Sequence, residues 1–571
     1  MGYRAPVQDY DYILEHVVDY AQVSATPQFS EATHDLSHAI LSEAGRMCEE
    51  VLAPLQRLGD QDPARLENGV LRSSKGFAEG YRAIREGGWV SVAASPEYGG
   101  MGLPMTVTTA VNEMMSGACL SIQLNPLMTQ GQIEALEHHA SDEIKAIYLP
   151  KLVSGAWCGT MNLTEAQAGS DVGALTSKAE DNGDGTYAVT GQKIYISWGD
   201  NDFSENVCHL VLARLPNAPA GTKGISLFLV PKFIPDENGE AGVANSLKVV
   251  SLEHKLGLHG SPTAVMQYDG ATGWMVGAPN AGLAAMFTMM NNARLGVGCQ
   301  GIGVGEAAYQ KALAYACERK QGATPGGRGA IVDHADVRRM LTTMRAEVFA
   351  ARAIALANAV AIDLAHATGE AEWQARAGLL TPITKAFGTD TGIKVAEMGV
   401  QVHGGMGFIE ETGAAQYSRD VRVTAIYEGT NGIQAMDLVG RKLMDGGEAA
   451  HGLVDEMQAF AEAARATRPR MAGLLWDATE TLREATEWMV SQKDLTERFA
   501  GAVPFLSAYA RVLGGYYHLR AAVAEGENGP RSKLARFYIN RLLPEHKALL
   551  DHAMQGADDL YALGVDELGL A

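Results

Sequence analysis

The residue pattern changes character twice along this chain, and that change most constrains the fold. Residues 158–275 carry short β-rich runs, such as 209–213 and 225–230, and a turn at 181–185. The segments on both sides show the three-and-four spacing of amphipathic helices. This order predicts an α+β fold, mainly α. The predicted parts are an N-terminal helical domain (1–157), a middle antiparallel β domain built as a small barrel or sandwich (158–275), a C-terminal helical bundle (276–445) and an additional helical domain (446–571).

One helical stripe in the N-terminal part is especially regular. Leu36, Ile40, Ala44 and Met47, followed by Val51, repeat at spacings of three and four, which predicts a single buried face. Pro54 follows this stripe. Because proline lacks an amide hydrogen and clashes with the preceding turn, we expect the helix to end there.

The charge balance narrows the classes of partner. Lys and Arg total 46 and Asp and Glu total 67, which gives a net charge of −21. So acidic a surface disfavours general binding to nucleic acid or anionic lipid, and an anionic ligand needs a local basic patch. The six cysteines are scattered without a Cys-x-x-Cys pair, which indicates reduced thiols. Acidic residues at the N-terminus argue against a signal peptide. The sequence contains no run of eighteen apolar residues, so we predict no membrane span. We expect a cytoplasmic protein.

Two groups of residues resemble functional motifs, a dinucleotide-binding loop and a metal site, but neither has the sequence context that the motif requires. Gly301, Gly303 and Gly305 alternate as in a dinucleotide-binding loop, but they lie inside a helical pattern rather than between a strand and a helix. Small residues at a close helix–helix contact explain them better. His138, His139 and the other histidines lack metal-ligand spacing, so we expect no metal site.

A carboxylate near residue 430 is the strongest candidate for chemistry. Glu428 follows Tyr427 and precedes Gly429, and a helical pattern begins a few residues later. Glycine there allows a ligand to approach the backbone, and Thr430 with Asn431 can cap the next helix. Taken alone, such a glutamate is more often a helix cap or a surface charge.

Its neighbours favour chemistry. Residues 426–431 (Ile-Tyr-Glu-Gly-Thr-Asn) and 401–408 (Gln-Val-His-Gly-Gly-Met-Gly-Phe) resemble the C-terminal signature of the acyl-CoA dehydrogenases. The resemblance implies that Glu428 is the base that removes the α-proton of an acyl-CoA thioester. It also implies FAD as the oxidant and covers roughly residues 30–445.

A second signature lies upstream, in the order that the family requires. Residues 161–171 combine small residues with the hydroxyls of Thr164 and Ser170, which on its own also describes a polar loop with an Asp cap. The run resembles the family's flavin-binding segment, although proline usually stands where Ala166 or Gln167 does. Residues 191–197 follow at the family's spacing. By resemblance, Tyr195 packs on the flavin ring and Ser197 bonds near its N5 atom.

The remaining cofactor contacts are also carried over by resemblance. Arg319, at a predicted helix end, would bind the FAD pyrophosphate of a neighbouring subunit, since its planar fork suits a diphosphate. A solvated charge cluster is the alternative reading. The Phe-Gly that follows in the family is replaced by residues 322–327. The predicted FAD contacts are Met161, Leu163, Thr164, Gly169, Ser170, Tyr195, Ile196, Ser197, Arg319, Gln401, His403, Gly404, Gly405 and Thr430.

The resemblance also implies how the substrate is held. Ser170, Arg294 and Gly429 are the predicted substrate contacts, and the backbone amide of Glu428 helps to bind the thioester oxygen. Some branches place the base on another helix, at a position we match to Thr263 or Ala264. Neither is a carboxylate, and the arginine common there in relatives is absent, so Glu428 must be oriented differently.

Several functions stay open at this stage. The first is a dehydrogenase that passes electrons to an electron-transferring flavoprotein. Across its length the chain most resembles the branch that oxidises 3-methylthiopropanoyl-CoA to methylthioacryloyl-CoA during dimethylsulfoniopropionate demethylation; a general short- or medium-chain dehydrogenase is the alternative. An acyl-CoA oxidase shares the base. A DNA-binding flavoprotein of the same superfamily would need a basic C-terminal region, which the acidic residues after 447 oppose. The additional C-terminal block resembles that of dimeric members, so we expect a homodimer.

Overall fold

In the computed structural model the described residues are 2–324, 327 and 329–569. They form two compact units, described separately. The sheet unit comprises residues 2–5 and 42–296, and the helical unit comprises residues 6–41 and 297–569. The four-domain division predicted from the sequence is finer than this, and its boundaries stay a prediction.

The N-terminal part is mostly helical, as expected, with one small hairpin inside it. The elements are α1 (Val7–His16), α2 (Ala21–Ser24), α3 (His34–Met47), α4 (Ala53–Gln61), β1 (Arg65–Glu67), β2 (Val70–Arg72), α5 (Phe77–Glu86), α6 (Met105–His139) and α7 (Asp142–Val153). Pro54 does not end a helix, contrary to prediction. It lies in the first turn of α4, directly after a π-helical segment, Cys48–Leu52. Proline is tolerated there because a first-turn amide needs no intrahelical partner.

The middle part is β-rich where the sequence predicted it. Its strands are β3 (Trp157–Asn162), β4 (Lys178–Asp181), β5 (Tyr187–Ser197), β6 (Asn206–Ala213), β7 (Ser226–Pro231), β8 (Phe233–Pro235), β9 (Ala241–Ala244), β10 (Leu247–Leu252) and β11 (Thr263–Val276).

Seven of these strands form one sheet, in the order β3-β6-β7-β11-β5-β4 with β10 also on β11. The antiparallel prediction fails at one pair, since β3 and β6 are parallel. The long excursion through β4 and β5 separates them in sequence, which supplies the crossover that a parallel pair requires. Side chains of β4, β5, β6, β7 and β11 pack together in one buried hydrophobic core.

Helices return from residue 282 and continue to the C-terminal region, as predicted. They are α8 (Gly282–Glu318), α9 (Ala335–Thr368), α10 (Ala371–His403), α11 (Ala414–Val421), α12 (Asn431–Asp437), α13 (Glu448–Ala464), α14 (Pro469–Ser491), α15 (Leu495–Ala500), α16 (Ala502–Glu525), α17 (Pro530–Arg541) and α18 (Glu545–Ala553). Helix α9 is long and apolar enough to pass a test for a membrane span. However, 83% of its most apolar window is buried inside the protein, as in a core helix.

The glycine motif on α8 makes the close helix–helix contact predicted for it. A Cβ built on Gly301 would lie 2.4 Å from the carbonyl oxygen of Gly388, and one on Gly392 would lie 2.3 Å from that of Gly301. Both distances are far below van der Waals contact, so only glycine allows α8 and α10 to approach this closely. The dinucleotide-loop reading is excluded, because the motif lies within a helix.

Candidate active site

The turn that carries Glu428 has an unusual backbone conformation. Glu428 has a φ of 57° and Gly429 follows with a φ of 82°, so two consecutive residues are left-handed. For a non-glycine residue this costs about 1–3 kcal/mol and persists only where surrounding contacts enforce it. Contacts from neighbouring residues must therefore hold Glu428 in this conformation.

Hydrogen bonds hold this turn on its C-terminal side. The Gln434 side-chain amide donates to the carbonyl oxygens of Glu428 (3.2 Å) and Gly429 (3.3 Å). Thr430 caps α12, as predicted, because its Oγ1 accepts from the amide of Ile433 at 3.3 Å. The backbone that follows the carboxylate-bearing side chain is thus fixed by α12.

Asn431 has a different role from the capping one considered in the sequence. Its Oδ1 accepts from Lys385 Nζ at 2.9 Å, and its Nδ2 donates to Asp390 Oδ1 at 2.7 Å. Lys385 is fully buried on α10. Asn431 therefore ties the start of α12 to α10 rather than capping the helix.

Tyr427 fixes the N-terminal side of the turn. Its hydroxyl donates to Oε1 of Gln300, a buried residue of α8. Burial, together with the nearby charge of Glu428, raises the pKa of Tyr427 well above its ordinary value. The phenol is therefore protonated at neutral pH and serves as a donor.

The predicted cofactor residues around 401–405 lie where α10 ends. His403 is buried, stacks on Tyr315 with ring centroids 4.4 Å apart, and donates from Nδ1 to the Gly399 carbonyl oxygen at 2.7 Å. Burial lowers its pKa, which favours the neutral ring. Gln401, Gly404 and Gly405 are exposed, so this segment offers backbone groups to a ligand.

Arg319 lies directly after the end of α8, as predicted, and is exposed. Its carbonyl oxygen accepts from the amide of Ile331 at 2.7 Å, and Lys320 pairs with Ala330 as the chain reverses. Pro325 and Gly326, part of the departure from the family pattern, lie outside the described residues.

In the sheet unit, a buried ion pair organises the first predicted flavin segment. Lys193 Nζ lies 2.8 Å from Glu165 Oε1 and donates to the carbonyl oxygen of Leu163 at 3.0 Å. The two side chains are 0% and 4% exposed. Glu165 also accepts from the backbone amides of Thr176 (2.8 Å) and Ser177 (3.0 Å). One carboxylate therefore fixes both ends of the loop that contains Gly169 and Ser170.

The environment of Glu165 keeps it ionised. Burial alone would raise the pKa of this carboxyl, but the Lys193 ammonium and the converging hydrogen-bond donors hold it well below its ordinary value. The sequence analysis does not predict this pair. Its only sequence signal is one acidic and one basic residue, which lie in the two segments that resemble flavin-binding ones, 161–171 and 191–197.

The second flavin segment joins the first. The amide of Ile194 donates to the carbonyl oxygen of Thr164 at 2.9 Å, so the two predicted segments lie side by side. A bulge in the pairing of β5 with β11 sets two residues, Ile194 and Tyr195, against Val265. Bulges re-aim side chains and recur beside active sites. Here Tyr195 has a φ of 61° and its side chain is 62% exposed.

These observations test whether the sheet unit fits a flavin. A large aromatic ring turned outward by a strained bulge offers a flat surface of the kind that an isoalloxazine ring packs against. Gly169 and Ser170 are exposed, Met161, Leu163, Thr164 and Ser197 are partly exposed, and Ile196 is buried. Among the described residues, and apart from its two chain neighbours, no heavy atom lies within 4 Å of a Cβ built on Gly169. The residues present fit the cofactor.

Arg294 and the position matched to Thr263 and Ala264 are the predicted positions that remain to be located. Arg294, on α8, is only 6% exposed, and its guanidinium lies 5.9 Å from the Phe287 ring centroid. Its assignment to the CoA-binding face stays a prediction. The match of Thr263 and Ala264 to a base on a helix is wrong, because both residues lie in strand β11. They therefore give no information about a rival base.

Among the described residues no cluster of His, Cys, Asp or Glu could hold a metal ion.

A buried histidine next to β3 predicts a specific acid sensitivity. His209 Nδ1 lies 2.7 Å from Thr160 Oγ1, and burial lowers its pKa to about 3. An unfolded chain has a histidine pKa near 6.5, so between about pH 6.5 and 3 only the unfolded state is protonated there. The free energy of unfolding therefore decreases as the pH is lowered through this window, by about 1.4 kcal/mol per pH unit.

We expect His209→Asn to remove this dependence. Urea unfolding at pH 6.5 and 5.0 should show about 2 kcal/mol less loss for the variant than for the native protein. The exposed His254 provides the control, and His254→Asn should keep the native slope. Equal slopes for all three proteins would contradict the assignment.

Similarity to known proteins extends over most of the chain. The domain models that match are acyl-CoA dehydrogenase N-terminal domain (35–156), middle domain (160–271), C-terminal domain (280–444) and acetyl-CoA dehydrogenase C-terminal like (453–564). A 3-methylmercaptopropionyl-CoA dehydrogenase of Ruegeria pomeroyi is 46% identical, covering 92% of each chain. A butyryl-CoA dehydrogenase of Syntrophomonas wolfei is 34% identical, covering 81% of this chain and 80% of its own. An acyl-CoA dehydrogenase from Bacillus anthracis, solved in complex with FAD, shares the fold with a TM-score of 0.76 at 19% identity, covering 98% and 94%.

Proposed function

The chain belongs to the acyl-CoA dehydrogenase family, and we propose that 3-methylthiopropanoyl-CoA is its preferred substrate, oxidised to methylthioacryloyl-CoA. As a member it is an FAD-dependent enzyme that dehydrogenates acyl-CoA thioesters. The observation that carries the choice of substrate is the 46% identity to the Ruegeria enzyme, sustained over 92% of both chains. The protein would then act in the demethylation of dimethylsulfoniopropionate, in the cytoplasm.

The reaction removes two hydrogens from adjacent carbons. Bound FAD supplies the acceptor for the hydride that leaves Cβ. Glu428 takes the proton from Cα, and the electron pair left behind forms the new double bond. What supports this role is the turn itself, held in a strained conformation by Tyr427, Gln434 and Thr430.

The substrate proposal is tested with a chain-length series. We expect the highest kcat/KM, measured with a dye acceptor, for 3-methylthiopropanoyl-CoA, and appreciable activity with butanoyl-CoA. The two acyl chains are similar in length and polarity, and one methylene in an apolar pocket is worth only about 1–3 kcal/mol. If octanoyl-CoA or longer thioesters were tenfold better than both, the substrate proposal would fail and the family's reaction would stand.

Electron-transferring flavoprotein is the proposed physiological acceptor. Family membership supports it, and oxygen is the alternative oxidant, as in an oxidase. Rapid oxygen consumption during turnover, at a rate near that with the dye, would favour the oxidase and contradict this part of the proposal.

We also propose a homodimer in which Arg319 completes the FAD site of the neighbouring subunit. Support comes from the segment after α10, where Met406, Phe408 and Ile409 are exposed and Phe408 is 86% accessible. Exposed apolar groups of this kind mark interaction surfaces, and twofold dimers are the commonest closed assembly.

Arg319→Ala tests this arrangement. Loss of a guanidinium fork to a diphosphate removes charge-assisted hydrogen bonds of about 1.5–3 kcal/mol, so FAD should bind roughly 10- to 100-fold more weakly. The adjacent exposed Lys320→Ala is the matched control and should retain FAD. Unchanged FAD affinity in Arg319→Ala, or an FAD-loaded protein that is monomeric by light scattering, would refute the shared site.

A further inference from the structure

A basic cleft lies in the helical unit, formed by α9, α14 and α17. Its volume is about 580 Å³, within the range typical of small-molecule sites. Helix α17 lines it with Lys533, Arg536, Phe537, Asn540 and Arg541, which recur at helical spacing and therefore share one face. Arg470 in the first turn of α14 lines it as well, and Thr342 on α9 completes the lining. None of these residues belongs to the predicted FAD or thioester site.

The charge of this cleft runs against that of the whole protein. Four of its side chains are cationic, and no carboxylate from the described part of the chain lines it, whereas the whole protein carries a net charge of −21. Within the described ranges, Arg470, Lys533, Arg536 and Arg541 form no ion pair with a carboxylate. Other arginines of the same unit do, such as Arg483 with Asp455 and Arg520 with Asp19. Four neighbouring cations without counter-charges repel one another, and a bound anion would relieve that repulsion.

The shape of these groups indicates the kind of anion. Guanidinium forks match phosphate oxygens in bidentate geometry, and three arginines allow more than one phosphate to be held. The Phe537 ring, with the Arg541 guanidinium 5.8 Å from its centroid, offers a flat surface for a planar base. The Asn540 side chain supplies both a donor and an acceptor for a base edge.

We propose that this cleft binds a nucleoside diphosphate. The same chemistry occurs in free ADP and in the adenosine diphosphate portion of CoA. The site is separate from the chemistry at Glu428 and does not depend on the proposed substrate.

The test is calorimetric titration of ADP into the full-length, FAD-loaded protein. Arg470→Glu and Arg536→Glu should each weaken ADP binding by at least tenfold, because each replaces a phosphate-binding cation with a repelling carboxylate. Lys547→Glu, the same charge change at an exposed position on α18 outside the cleft, should leave ADP affinity unchanged. Flavin absorbance and thermal stability should match the native protein in all three variants.

Parallel titrations with ADP, CoA and inorganic diphosphate distinguish the possible ligands. The binding event considered is the one that Arg470→Glu and Arg536→Glu weaken. If ADP binds there more tightly than CoA, the ligand is a free nucleotide; if CoA binds more tightly, it is the CoA carrier, and both results support the site. Inorganic diphosphate binding as tightly as ADP would mean an adventitious ion only. The proposal is also overturned if millimolar ADP does not bind, if both charge reversals bind it normally, or if they change the oligomeric state, which would identify this face as a subunit contact.

Discussion

Replacement of Glu428 by glutamine is expected to leave a yellow, FAD-loaded protein that reduces its flavin with acyl-CoA at least about 10²- to 10⁴-fold more slowly. Glutamine has nearly the same shape and keeps the backbone contacts of Gln434 and Thr430, but its amide cannot accept the α-proton. The loss should therefore appear in the rate of flavin reduction rather than in FAD content. Stopped-flow absorbance after mixing with butanoyl-CoA measures it directly.

The matched control is Glu411→Gln, which removes an exposed carboxylate from the same unit outside the turn. It should reduce its flavin at the native rate. A Glu428→Gln protein that bleaches at near-native speed would show that another group is the base. Loss of FAD from that variant would instead show that Glu428 has a structural role in cofactor binding.

A large loss of stability is expected for Lys193→Met. The change leaves the Glu165 carboxylate buried without its cation, and breaking a buried pair in this way typically costs about 3–5 kcal/mol. Because Glu165 also fixes the loop that carries Gly169 and Ser170, FAD affinity should fall with stability. Urea unfolding and the FAD retained after gel filtration measure the two effects.

Two further variants separate charge burial from side-chain loss. Adding Glu165→Gln to Lys193→Met removes the buried charge. The glutamine carbonyl oxygen replaces only one of the two carboxylate oxygens, which accept separately from the amides of Thr176 and Ser177, so only part of the stability should return. Lys178→Met breaks an exposed pair of the same 2.8 Å length, with Glu180, and should cost at most about 1 kcal/mol. If Lys178→Met and Lys193→Met were equally mild, the buried pair would not organise the loop.

Helix α3 and the π-helical segment after it show what the spacing of apolar residues predicts and what it does not. The stripe Leu36, Ile40, Ala44, Met47 and Val51 predicted the helix, but not its buried face, since Leu36 is 40% exposed. The buried face shares only Ala44 with that stripe; its other members, Ser37, Leu41, Cys48 and Leu52, each lie one residue further along. Ser37 is buried because its hydroxyl bonds that of Tyr20 at 3.0 Å. A partner outside the helix decided the face, and the helix's own pattern does not contain that partner.

Some features of the candidate site could likewise be predicted from local sequence, and others could not. Local sequence was enough for the turn at Glu428, the cap at Thr430 and the β-rich loop with Tyr195. It gave no signal for Gln300 or Lys385, because each contacts this turn from far along the chain. It also missed the bulge that exposes Tyr195, which depends on pairing with β11. Contacts across long sequence separations, rather than local propensity, complete the site.

The glycine contact between α8 and α10 has a consequence for how enzymes of this kind diversify. Helix α10 carries Lys385, Thr389 and Asp390, which bind Asn431 at the start of α12, three residues after Glu428. At Gly301, Gly388 and Gly392 the spacing of α8 and α10 is set by backbone atoms, so no side-chain volume enters it at these positions. Changes to side chains elsewhere on these helices should therefore leave this contact, and with it the start of α12, in place. Over evolutionary time those side chains are free to vary while the backbone position of Glu428 is inherited.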